Sequence, residues 1–237
     1  MKKSIAMIIG MVFLTATTSF ADSTVSGKVI NKAEIKKSAN IAIGEKSTAN
    51  MGSIKMKDSQ VSGKVINKAD IKKSANIAIG EKSTANMGTI TMKDSNVSGK
   101  VINKAEVQKS ANIAFGKEAK ANMATITMKD SNVSGKLINK ADIKKSANIA
   151  IGEKSTANMG TVTAKGANIS GKVINKAEVK KSANIALGQN ATANMATITM
   201  KDSNVSGKVI NKAEIDKSAN IAAGNNAEAS MGSVTME

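Results

Sequence analysis

The chain has 237 residues and a net charge of +17, from 35 basic residues, all lysine, against 18 acids. It contains no Cys, His, Trp, Tyr or Pro, which excludes disulfides, the usual nitrogen and sulfur zinc sites, and nucleophilic triads or Cys–His dyads. Without arginine there is no planar, bidentate reader of bases or phosphates, so sequence-specific nucleic-acid recognition is not expected.

Residues 1–21 read as a secretory signal peptide. Lys2 and Lys3 form the charged region, Ile5 to Leu14 the apolar run, and Ser19 and Ala21 the small residues before a cleavage site. The apolar run is too short for a stable membrane anchor, and no later run reaches the ~18 residues of a spanning helix. The exported chain is then expected to begin at Asp22, with a net charge of +15. Its place would be outside the cell or on the cell surface, after transit through a periplasm.

From Asp22 onward the sequence is one 36-residue unit written six times, as 22–57, 58–93, 94–129, 130–165, 166–201 and 202–237. Such a period is the signature of stacked repeats. Within a unit, short β-branched runs are broken by Gly, Asn and Ser, which predicts strands of four to six residues and turns between them. Asn31, Ala33 and Ile35 alternate with Lys32 and Glu34, so one face is uncharged and the other charged. Five apolar positions, 29, 35, 41, 43 and 54, persist in every copy and are expected to form the packed face. Glycine rows beginning at Gly27 and Gly44 are expected at corners. The fold expected is all-β, a β-solenoid.

The unit also looks like an internal double. Asn31-x-Ala33-x-Ile35 returns as Asn50-x-Gly52-x-Ile54 after 19 residues, and again from Asn67 after 17 more. This predicts two coils per repeat, about twelve in all, and a rod ~58 Å long at ~4.8 Å per coil. Electrostatics favours the same count. Rows beginning at Lys28, Lys32 and Lys37 are unbroken through all copies, and two coils per repeat would hold their ammonium groups ~9.6 Å apart, near the Debye length.

Two asparagine rows never vary: Asn31, Asn67, Asn103, Asn139, Asn175, Asn211 and Asn40, Asn76, Asn112, Asn148, Asn184, Asn220. Stacked amides can hydrogen-bond to the copies above and below; asparagine also suits left-handed turns. The lysines Lys28, Lys64, Lys100, Lys136, Lys172, Lys208 and Lys32, Lys68, Lys104, Lys140, Lys176, Lys212 define a basic outer face. Acidic polysaccharide, extracellular DNA or an anionic cell surface are the partners such a face would attract.

Other rows offer weaker chemistry. The acids recur with the repeat, so no unique constellation singles out a catalytic site, and no enzyme, cofactor or metal is expected. Methionine rows starting at Met51 and Met56 could hold Cu(I) but serve equally as adaptable packing. Thr-x-Thr pairs such as Thr89 and Thr91 read as an outward rank, as on an ice-binding face, or simply as good strand residues.

Gly27-x-x-x-Asn31-x-Ala33 resembles the G-x-x-N-x-A core of curlin repeats, the subunits of secreted bacterial amyloid fibres, with one extra residue in the spacing. "ANIAIGEKSTAN", Ala39 to Asn50, is similar to the S-x-A-I-G-x-x-S-x-A pattern in the heads of trimeric autotransporter adhesins. Both resemblances imply a secreted β-solenoid at the cell surface. No capping unit is evident, and Glu237 would lead in phase into Asp22 of another molecule. A heterologous contact of that kind does not close and makes filaments. The expected function is therefore a structural subunit that polymerises head to tail into amyloid-like fibres of a surface or biofilm matrix. The alternative is a finite adhesin or coat module that binds acidic glycans.

Overall fold

The computed structural model describes residues 7–9, 12–14 and 17–236. Lys2 and Lys3 of the leader reading, and Glu237, lie outside them. The described residues form strands and turns with no helix, wound as a parallel β-solenoid.

Three short strands come first: β1 (Met7–Ile9), β2 (Val12–Leu14) and β3 (Thr17–Ala21). The first full coil follows as β4 (Thr24–Lys36), β5 (Ala39–Ile43), β6 (Thr48–Met51) and β7 (Ser53–Lys57). From β3 to the fifth coil every strand pairs in parallel with the strand 36 residues on. Asn31 lies beside Asn67, Asn40 beside Asn76, Ala49 beside Ala85 and Ile54 beside Ile90. Four parallel sheets thus run the length of the molecule. β1 and β2 pair with β4, and β3 with β7.

One repeat is therefore one coil. The expectation of two coils per repeat, and of a ~58 Å rod, is corrected to six coils and a height of ~29 Å at ~4.8 Å per coil. The physical reason lies in the two similar segments. Asn31-x-Ala33 and Asn50-x-Gly52 are facing walls of a single coil, not successive floors. A Cβ built on Gly52 would lie 3.4 Å from that of Ala33 and 3.1 Å from that of Ala69. Gly52 has φ +61 and presses the coil inward at a waist. Met51 and Ile54 on either side of it are buried.

β4 and its copies in coils two to five run to 13 residues, longer than expected, because a bend occurs without loss of pairing; in the last coil the bend splits the strand into Asn204–Ser206 and Val209–Asp216. Val25 and Val29 both point inward and the residues between them face out. Gly27 makes that bend. At the equivalent Gly63, φ is +124 and a Cβ would run into the carbonyl oxygen of Gly27, so no other residue fits. Other corners use residues with a side chain. Lys37, Lys46 and Asp58 have φ of 52, 55 and 48. The conformation costs each of them on the order of 1 kcal/mol. It is held because the corner amides bond to the next coil, as Lys37 N–H does to the Lys72 carbonyl at 3.0 Å.

The buried apolar side chains fall into three columns. Val25 and Val29 meet Ile54 and Met56 in the first, and Ile71, Ala69 and Met87 form the second. The third is almost wholly alanine, with Ala49, Ala78 and Ala85. The buried members of all three columns lie within Val25–Met200, in coils one to five, and Val205, Val209 and Ile215 of the last coil pack against them partly buried.

Of the five persistent apolar positions, 29, 35 and 54 line the core. Positions 41 and 43 do not. In β5 it is Asn40 and Ala42 that point inward, and Ile41 and Ile43 are 57% and 75% exposed. Ile79 and Phe115 continue this apolar stripe up the outside. The corner at Lys37 resets the alternation, which no residue type announces. The Thr-x-Thr rank is corrected too. Thr91 faces out, but Thr89, Thr125, Thr161 and Thr197 are buried beside the waist, so no flat double rank exists.

Candidate assembly surfaces

The invariant asparagines are brought together as two continuous amide ladders inside the coil. Asn31 donates from Nδ2 to Asn67 Oδ1 at 2.9 Å, Asn67 to Asn103 at 2.9 Å, and Asn103 to Asn139 at 2.9 Å. The chain of bonds runs on through Asn175 to Asn211. The second ladder runs from Asn40 through Asn76, Asn112, Asn148 and Asn184 to Asn220 at 2.8–2.9 Å.

Each amide also ties the two walls. Asn67 Nδ2 donates to the carbonyls of Gly52 and Thr89 at the waist, and Asn112 Nδ2 to those of Ala85 and Asn122. In sequence Asn31 sits between Val29 and Ala33, so its ladder divides the first apolar column from the second; the Asn40 ladder divides the second from the third. Polar groups this deep are tolerated because their donors and acceptors are met. The Thr89 carbonyl at the waist accepts from both Asn67 Nδ2 and the Ile54 N–H. A third ladder on the outer side, through Asn50, Asn86, Asn122, Asn158 and Asn194, donates in the opposite direction along the axis.

The ladders are directional, and the ends differ as a result. Asn211 donates to the carbonyls of Ala196 and Ser233. At the other end Asn31 is fully buried and its Oδ1 has no partner. The residue in register with Asn31 is Leu14, which has no side-chain donor.

The basic outer face is where the sequence placed it, but one rung apart. Lys100 pairs in register with Lys64 and Lys136, and Lys104 with Lys68 and Lys140, so the ammonium rows have the ~4.8 Å sheet spacing. Repulsion is limited because nearly all of these side chains are exposed and their long stems can splay in water. Neither row forms an ion pair among the described residues.

A third lysine row is neutralised. Lys72 Nζ is 3.0 Å from Asp70 and 3.8 Å from Glu106 of the next coil. Lys144 joins Asp142 and Glu178, and Lys180 joins Glu178 and Glu214, in the same way. Hydrogen bonding to Lys180 holds the Glu178 carboxyl below the ordinary range, and Lys36 does the same for Glu34. Lys72 is raised, chiefly by Asp70, and Lys144 chiefly by Asp142.

The last coil, 202–236, has no rung beyond it among the described residues. Ile221, Met231, Val234 and Met236, whose positions are more covered in the inner coils, are 44–56% exposed. Asp22 lies just before β4, at a corner with φ 47. Among the described residues no group of three or more His, Cys, Asp or Glu could hold a metal ion, and no helix is long and apolar enough to cross a membrane.

These features define the class: a parallel β-solenoid with stacked identical rungs. Comparison with family models, with curated proteins and with solved structures returned no match.

Proposed function

We propose that the exported protein is a structural subunit that stacks head to tail into extracellular solenoid fibres. The observation that carries this reading is the edge of coil six, which no strand covers among the described residues. It repeats, with few changes, the edge that each inner coil offers to its successor, and its apolar side chains are open to water. Exposed strand edges with unpaired backbone groups recruit further strands. At the other end, removal of residues 1–21 would uncover the partner edge of β4 and β7. The unpaired rows at Lys28 and Lys32 would give the fibre a basic surface suited to the acidic polymers of a matrix.

The test is negative-stain microscopy with sedimentation of the chain Asp22–Glu237, over a range of concentration and salt. Filaments of single-solenoid width that lengthen with concentration are expected. A species of fixed size at all conditions, with saturable binding to an acidic glycan, would replace the proposal by the adhesin reading.

A further inference from the structure

The six coils differ little in sequence, yet the two end coils differ sharply in charge. Residues 22–57 carry seven lysines and three acids, a net +4; residues 202–237 carry three lysines and five acids, a net −2. The four inner units are each +3 or +4. The departures are local. Lys55 stands in coil one where the row otherwise has Thr91, Thr127, Thr163, Thr199 and Thr235. In coil six Asp216 replaces a lysine, or in one copy a glutamine, and Glu228 replaces a threonine or lysine. Lys55, Asp216 and Glu228 all lie on the outside, so packing does not account for them.

We infer that this charge asymmetry directs a second copy of the chain, coil six of one molecule docking on coil one of the next. The inference rests on the assembly reading above and adds its polarity. In the joined register Asp216 would stand one rung from Lys36 of the second copy, as Lys180 stands from Asp216 within the chain. The inner ladder points the same way. It donates from coil one toward coil six, so Asn211 Nδ2 would meet the orphan Asn31 Oδ1, whereas two coil-one ends would bring two acceptors together. At physiological salt the Debye length is ~8 Å, less than two rungs. The charges of the touching coils then outweigh the +15 of the whole chain.

The experiment uses the chain Asp22–Glu237 and the double variant D216K/E228T, which restores the common residue at these two positions and changes the charge of coil six to +1. Both sites are exposed, and a matching β-sheet circular dichroism spectrum checks that the variant folds. Filament elongation is followed by light scattering at 0.15 M and 1 M salt. The variant is expected to elongate several-fold more slowly at 0.15 M, with the difference lost at 1 M. If stacking depended on repeat identity alone, the variant would match better and elongate as fast or faster at 0.15 M, and that result overturns the inference while leaving the assembly reading intact. If the parent chain never elongates, both fall.

Discussion

Two rows climb the same sheet side by side. The Asn103 row and the Lys100 row have the same register and rung spacing, and lie three residues apart. Inside, each amide both gives and takes, so a stack of identical groups satisfies itself. Outside, each ammonium only gives, so a stack of identical groups repels and depends on water and salt. Stacking like on like is favourable for a neutral dipole with two complementary halves, and merely survivable for a charge at the surface.

The sharpest way to break the contrast is to put a charge into the inner row. Asn139→Asp replaces a donor to Asn175 Oδ1, Ala124 O and Thr161 O with an acceptor at a fully buried site. A loss of about 3–5 kcal/mol is expected, as for an uncompensated buried charge, read from urea unfolding of the chain Asp22–Glu237. A result within error of the parent would show that the ladder does not hold the coils.

A second test attacks the bend that sends the lysines out and the asparagines in. Gly135 has φ +123, and a Cβ there would run into the Gly99 carbonyl oxygen. Gly135→Ala is expected to cost about 1–3 kcal/mol in the same assay. The exposed Lys136→Ala beside it should cost far less.

The inner amides do not titrate, so pH sharpens the comparison by acting on the outer face alone. Glu34 and Glu178 are held below their ordinary value by Lys36 and Lys180. Their contribution is present above the unfolded value of about 4.3 and is lost as pH falls through the lower folded one. Lys72 and Lys144, raised by Asp70 and Asp142, contribute below about 10.4 and lose that contribution as pH rises through their raised folded values. A melting temperature flat between these limits and falling modestly beyond them is expected. A transition near neutrality would contradict the assignment.

The smallest effect concerns the unpaired lysines. Lys100→Gln should raise the melting temperature slightly at about 10 mM salt, and the gain should vanish at 0.15 M as screening shortens from ~30 to ~8 Å.

The inner face of β4 was legible from Asn31, Ala33 and Ile35 because nothing interrupts the alternation there. Gly27 was legible as a corner because only glycine adopts that bend without a clash. Beyond Lys36 the alternation is broken for a physical reason: Lys37 and Lys46 turn the chain in the left-handed region without being turn residues of the usual kind. Each hidden corner resets which side the next residue faces. Unbroken alternation would therefore put Ile41 and Ile43 in the core; Thr89 is turned inward at Gly88, where φ is +65. The coil count failed because Asn50-x-Gly52 resembles Asn31-x-Ala33 for a different reason: small residues must meet where the walls touch. Lysine rows one rung apart are tolerated because exposure to water weakens the Coulomb repulsion between them. A clue was available in the rows themselves. Asn50 gives way to Ser230 while Asn31 never varies, which equivalent floors would not require.

Fibre diffraction from aligned threads of the chain Asp22–Glu237 tests the stacking account most directly. One coil per repeat, continued across the joints, predicts a meridional reflection near 4.8 Å and a subunit repeat of ~29 Å, six rungs per molecule. A subunit repeat near 58 Å, or threads without the 4.8 Å reflection, would contradict it.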